Sequence, residues 1–158
     1  MAKDKLVKIF LLVFLCFDLL ALESLIKYFF INKVSKEGFY FFENFFQIIY
    51  TPNPNIAFSV PLPQNLIIVI VILILIVLSF IWWHSLARNN LWELIALSLI
   101  ILGALSNLID RLFFGYVIDY IRVWIWPVFN LADVMILVGI IIYILGEFKK
   151  PNVKTLTI

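Results

Sequence analysis

The chain has 158 residues, of which 65% are hydrophobic and only 14% charged. Soluble domains average about 45–50% apolar residues, so a water-soluble fold is excluded and much of the surface must face lipid. A formal net charge of +2 is too small to attract nucleic acid, and the length predicts a single membrane domain, residues 1–158.

A bilayer core of about 30 Å takes roughly 20 apolar residues in helical form. The first such run is residues 7–30, apolar in its first half and then carrying Asp18, Glu23 and Lys27. Its basic start would also suit a signal peptide, but no small-x-small cleavage site closes it, so a retained span is expected. Residues 32–63 form the one substantial extramembrane segment. Within it, residues 39–46 suit an interfacial helix or a strand, and periodicity cannot decide over so short a run. Residues 48–51 and 56–60 read as two short strands joined by a Pro/Asn turn. Residues 66–83 form the second span, interrupted only by Ser79. Residues 91–114 form the third, with Asn107, Asp110 and Arg111 near its end. Residues 131–148 form the fourth, just after Pro127 and Asn130. The expected fold is a membrane all-α protein with a small β element: a four-transmembrane-helix bundle carrying a small extracytoplasmic sheet and an interfacial segment.

Basic residues gather in cytoplasmic loops. Lys3, Lys5 and Lys8 precede the first span, Arg88 sits between the second and third, and Lys149, Lys150 and Lys154 follow the fourth. The opposite side holds Lys33, Lys36 and Arg122. Both termini are therefore expected in the cytoplasm. That topology sends Glu23, Lys27, Asn107, Asp110, Arg111, Asp119 and Asp133 to the outer leaflet, and ionisable groups at such depth are functional candidates.

Spacing separates these groups. Glu23 and Lys27, at i and i+4, can pair on one helix face, and with Asp110 they are expected chiefly to tie helices together. Asp119 lies in an alternating segment, Gly115-Tyr-Val-Ile-Asp-Tyr-Ile, that would run extended. Asn130 is placed to cap the fourth helix, with Asp133 in its first turn. Alone, Asp133 would merely suit a helix N-terminus and Asp119 would be a loop acid in water. Together they offer two close carboxylates that share a proton, one activating a water while the other polarises a carbonyl. Rival chemistries lack parts. Cys16 and His84 are the sole cysteine and histidine, so an intrachain disulfide and a Cys/His zinc cluster are excluded. Cys16 reads as a small buried thiol, and His84 as an interfacial residue on the cytoplasmic side. No metal or cofactor is expected.

Three blocks carry a family resemblance: Gly103-Ala-Leu-Ser-Asn-Leu-Ile-Asp-Arg, Gly115-Tyr-Val-Ile-Asp, and Phe129-Asn-Leu-Ala-Asp. Together they resemble the signature of the bacterial lipoprotein signal peptidases, the type II signal peptidases. The resemblance implies an aspartyl endopeptidase of the bacterial inner membrane that removes the signal peptide of prolipoproteins just before the diacylglyceryl-modified cysteine. It implies Asp119 and Asp133 as the catalytic pair, and Asn107, Arg111, Asn130 and Ala132 as supporting or substrate-contacting residues. Asn53, Ala57 and Phe58 match an Asn-x-Gly-x-Ala-Phe segment over the substrate, with Asn55 standing in the glycine position. Glu23 and Lys27 match an Asp-x-x-x-Lys segment, with Glu in place of Asp. The implied partners are lipid-modified prolipoproteins and membrane lipid, and the chain is expected to act as a monomer. Two other readings stay open: a silent relative that binds precursors or lipid without cutting, and a small transporter or proton relay. Residues 66–83, which contain no ionisable side chain, speak against the transporter.

Overall fold

A computed structural model describes residues 2–33, 38–42, 45–55 and 62–148. In chain order the elements are α1 (Ala2–Lys33), β1 (Phe39–Phe41), β2 (Phe46–Asn53), α2 (Gln64–Arg88), α3 (Leu91–Phe114), β3 (Val117–Val123) and α4 (Leu131–Phe148). The expected third and fourth spans coincide with α3 and α4. The first two helices run a few residues beyond their apolar stretches. Among the described residues, α2, α3 and α4 are long and apolar enough to cross a membrane, and α1 is a 32-residue helix interrupted by charge.

Burial ranks the helices. Half of the apolar stretch of α3 is buried, against 6% for α2 and 17% for α4, so α3 is the central helix and the other two give most of their surface to lipid. Asn89 and Asn90 make the tight turn between α2 and α3. Asn89 takes the left-handed conformation that ends α2, and the Asn90 side chain accepts from the Glu93 backbone N–H at the start of α3, satisfying one of that helix's free donors. Packing of α4 against α3 is closest at Gly103, where a Cβ would land on the carbonyl oxygen of Ala132. Glycine is thus required for the backbones to approach beside Asp133.

The three strands form one antiparallel sheet in the order β1-β2-β3. Residues 39–41 are therefore strand rather than interfacial helix, because β2 folds back on them as an antiparallel partner. The strand read at residues 48–51 is the middle of the longer β2, and residues 56–60, including Ala57 and Phe58, lie outside the described residues. β3, inserted between α3 and α4, completes the sheet. Between Ile48 and Thr51 the register slips by one residue, three steps on β2 matching two on β3 from Ile121 to Asp119. This bulge locally bends the strand pair beside Asp119. Successive β3 side chains face opposite sides. Ile118 and Tyr120 enter a core with Phe30, the Phe30 and Tyr120 rings stacked at 4.5 Å.

Candidate active site

Gly115 ends α3 with φ +80 and donates its N–H to the Arg111 carbonyl at 3.1 Å. The chain then turns straight into β3, which carries Asp119 to the N-terminus of α4. Phe129 joins the two: its carbonyl accepts from Tyr120 and Ile121 at 3.0 and 2.8 Å, and its N–H reaches the Ile121 carbonyl at 2.9 Å. Asn130 caps α4 as its position predicts. Its Oδ1 accepts from the Asp133 N–H at 2.9 Å, and Asp133 Oδ2 accepts from the Asn130 N–H at 3.2 Å. That reciprocal arrangement is a capping box in which Asp replaces the usual Glu.

Three asparagine side chains hold the two carboxylates, and a fourth contact ties two of those asparagines together. Asp119 Oδ1 accepts from Asn130 Nδ2 at 2.9 Å and Oδ2 from Asn53 Nδ2 at 2.8 Å. Asp133 Oδ1 accepts from Asn107 Nδ2 at 2.8 Å, and Asn107 Oδ1 accepts from Asn130 Nδ2 at 3.0 Å. Asn130 is fully buried and Asp119 only 2% exposed, so Asp119 is not an acid in water. Burial pushes the Asp119 carboxyl up to about 7, with the charge of Asp133 adding to the effect. The Asn53 and Asn130 donors and the Lys27 charge oppose it.

Arg111 lies at the edge of this group, near enough to sense both carboxylates. Its Nη2 donates to the Asn55 carbonyl at 2.8 Å and its Nη1 reaches Gln64 Oε1 at 3.4 Å. Asn55 keeps the turn by a different device from a left-handed glycine. Asn53 Oδ1 accepts its N–H at 3.0 Å, and Asn55 is not among the described residues with positive φ.

A second polar cluster backs the first across β3. Lys27 Nζ spends its three donors on Asp110 Oδ2 (2.8 Å), Glu23 Oε1 (3.1 Å) and Ser106 Oγ (3.0 Å). One cation here faces two carboxylates, and neutral donors disperse the excess negative charge. Ile118 N–H reaches Asp110 at 3.1 Å, Tyr120 O–H reaches Glu23 Oε2 at 2.8 Å, and Ala132 N–H reaches Glu23 Oε1 at 3.4 Å. All three ionic members are at least 96% buried. The helix-tying role expected for Glu23, Lys27 and Asp110 agrees with this geometry, and Ala132 takes part through its backbone. Nothing local in the sequence singles out Tyr120, Ser106 or Gln64. Their partners lie 97, 79 and 47 positions away, distances over which local pattern is silent. Cys16 is only half-buried, on the α1 face toward Ser98, and His84 is exposed against Phe80.

The profile of the family described as signal peptidase (SPase) II matches residues 12–149. The chain belongs to the signal peptidase II family. It is 37% identical over 124 residues to the lipoprotein signal peptidase of Moorella thermoacetica, covering 78% of this chain and 83% of that one. With the lipoprotein signal peptidase of Borreliella afzelii it is 34% identical over 152 residues, 89% of this chain and 88% of that one. A solved structure described as a bacterial membrane enzyme obtained by the in meso method superposes with a TM-score of 0.79 at 26% identity, covering 93% of each chain.

Proposed function

We propose that this protein is an aspartyl endopeptidase that cleaves the signal peptide from diacylglyceryl-modified prolipoproteins, just before the lipidated cysteine. The observation that carries the reading is the pairing of Asp119 and Asp133 around one buried asparagine, within a chain of the signal peptidase II family. Asn130 touches both carboxylates with its own N–H groups, and two close carboxylates in a dry site share one proton.

Peptide hydrolysis follows from that shared proton. The ionised carboxylate takes a proton from a water, whose oxygen attacks the carbonyl carbon of the scissile bond. The protonated partner donates to the carbonyl oxygen. A proton returned to the amide nitrogen then lets the C–N bond break, leaving a carboxylic acid on the signal peptide and a free amine on the lipidated cysteine. The deeper burial of Asp119 favours the proton there. Water is the only co-reactant, and no cofactor is needed.

In this reading α1 is the fourth span. Its buried charges meet partners on α3, β3 and α4 rather than lipid, the condition under which ionisable groups are tolerated at membrane depth. Both termini lie in the cytoplasm and the site opens at the outer leaflet of the inner membrane, where a substrate helix presents its lipidated cysteine. Asn53 and Arg111 contact the substrate or hold the segment above it, together with Ala57 and Phe58. Asn107, Asn130, Ala132, Glu23 and Lys27 support the pair.

A gel-shift assay with a diacylglyceryl-modified prolipoprotein in detergent tests the proposal. Wild type shortens the substrate, whereas Asp119→Asn and Asp133→Asn each abolish cleavage while remaining folded. Cleavage near the wild-type rate by either variant rules the two-carboxylate mechanism out.

A further inference from the structure

We infer that Tyr120 is a positioning residue for hydrolysis, its hydroxyl fixing the α4 N-terminus, and with it Asp133, against the strand that carries Asp119. The inference rests on the reading of Asp119 and Asp133 as the reacting pair.

Tyr120 follows Asp119 on β3, so its side chain leaves the opposite face of the strand and enters the core with Phe30 and Ile118. There its hydroxyl makes two directed contacts. It donates to Glu23 Oε2 at 2.8 Å and accepts from the Leu131 N–H at 3.1 Å. Burial first, and then the Glu23 charge, push the Tyr120 hydroxyl up, so it stays protonated and remains a donor. Leu131 is the first residue of α4, whose opening N–H groups have no partner within the helix. Three of them are satisfied from outside the helix: Leu131 by Tyr120, Ala132 by Glu23 at 3.4 Å, and Asp133 by Asn130 at 2.9 Å.

The consequence is a clamp with two jaws. On the site face, Asn130 ties Asp119 to the start of α4. On the far face, the Tyr120 hydroxyl joins the residue after Asp119 to the residue two before Asp133. The Phe30 ring stacks on the phenol at 4.5 Å and 10°, an apolar contact that packs the ring while the two hydrogen bonds fix the hydroxyl. Glu23 sits on α1, so the same hydroxyl also registers β3 and α4 against that helix. Its reach depends on glutamate, because a shorter carboxylate on the same turn would fall back from Tyr120 and Ala132. Without the hydroxyl, the Phe129 bridge and the Asn130 cap still hold the fold, while the α4 N-terminus gains freedom to shift. Displacements of about 1 Å in a reacting group can cost about a hundredfold in rate, so partial loosening is expected to cost about tenfold. The hydroxyl lies behind the strand, away from where substrate meets Asp119, so the loss falls on kcat.

The test measures kcat and KM with diacylglyceryl-modified prolipoprotein, per folded enzyme as judged by size exclusion and circular dichroism. Tyr120→Phe removes the hydroxyl alone. Leu131→Pro removes the matching N–H from the other side, at a helix position where proline is well tolerated, and decides the matter if Tyr120→Phe fails to fold. Both are expected to lower kcat about tenfold with KM within about twofold. Phe30→Leu loosens the core around the ring but keeps both contacts, and is expected to keep kcat within about twofold. Wild-type kcat in Tyr120→Phe or Leu131→Pro, a change in KM alone, or an equal kcat loss in Phe30→Leu overturns the inference. Asp119→Asn is run in parallel. If it cleaves, the carboxylate-pair reading has failed; if it is inactive while Tyr120→Phe is fully active, only the positioning role has failed.

Discussion

Asn130 holds Asp119 with its side-chain amide, Nδ2 to Oδ1 at 2.9 Å, from a position with no solvent exposure. The same residue caps α4 through Oδ1 and contacts Asp133 through its backbone. One side chain therefore serves both stability and the spacing of the two carboxylates. These roles separate by chemistry, because the cap needs an acceptor and the tie to Asp119 needs a donor.

Asn130→Asp keeps the acceptor and removes the donor. Asp is as good a helix cap as Asn, so the cap itself survives, while a third carboxylate is set against Asp119. Cleavage is expected to fall at least about a hundredfold. Asn130→Ala loses both functions and adds a cap penalty of about 1 kcal/mol. Kinetics and thermal unfolding in detergent distinguish the two. Equal activity loss is the expected pattern, with both midpoints lowered near neutral pH. That of Asn130→Asp alone recovers as pH falls and the added carboxyl is protonated. Wild-type activity in Asn130→Asp would break the pattern.

The position of Asp119 at about 7 fixes the direction of two pH effects. In the unfolded chain its carboxyl titrates near about 3.9, so between these values the folded protein binds more protons. Stability contributed by the protonated group is present at low pH and is lost as pH rises through about 7. Asp119→Asn removes that dependence. Its thermal midpoint should exceed that of wild type at pH about 8 and converge with it near pH about 4. For activity, loss of the shared proton ends catalysis, giving an alkaline limb near about 7 in the wild-type rate profile. Asn53 stabilises the ionised form of Asp119, so Asn53→Ala is expected to move that limb to higher pH.

Gly103 offers a packing test close to the site. A Cβ there meets the Ala132 carbonyl, which belongs to backbone that cannot rotate aside as a side chain would. Gly103→Ala is expected to cost about 1–3 kcal/mol by overpacking, read as a lower thermal midpoint. It is also expected to reduce kcat, because Asp133 follows directly on Ala132. Unchanged stability would mean that α3 and α4 separate more freely than this packing implies.

What sequence could reveal tracked the range of the forces involved. The helices α3 and α4 begin and end where apolar length and a local cap place them, and the Asn130 cap lies three residues from Asp133. The extended character of the segment at Asp119 was also legible from alternation. The sheet order was not, since β3 pairs with β2 across more than sixty positions and strand pairing leaves no local trace. For residues 39–41, where helix and strand were both open, pairing with β2 decides for strand. Tyr120 gave no local signal of its role, because only the fold brings Glu23 and Leu131 to its hydroxyl.

The buried triad of Lys27, Glu23 and Asp110 supplies the last prediction. Breaking a buried ion pair from one side leaves an uncompensated charge and costs about 3–5 kcal/mol. Lys27→Met does this to two carboxylates at once, since Lys27 Nζ lies 3.1 Å from Glu23 and 2.8 Å from Asp110. Met matches the aliphatic stem of lysine, so lost packing contributes little. Asp110→Asn alone should be mild, because the remaining Lys27–Glu23 pair is balanced and the Asn oxygen can still accept from the Ile118 N–H. The double variant, Lys27→Met with Asp110→Asn, leaves one carboxylate, Glu23, still served by the Tyr120 hydroxyl and the Ala132 N–H. Its destabilisation should therefore be smaller than the sum of the two single effects, the signature of direct coupling. Thermal midpoints of all four proteins in one detergent complete the cycle. Strict additivity would mean that Lys27 acts on the site by some route other than neutralising these two acids.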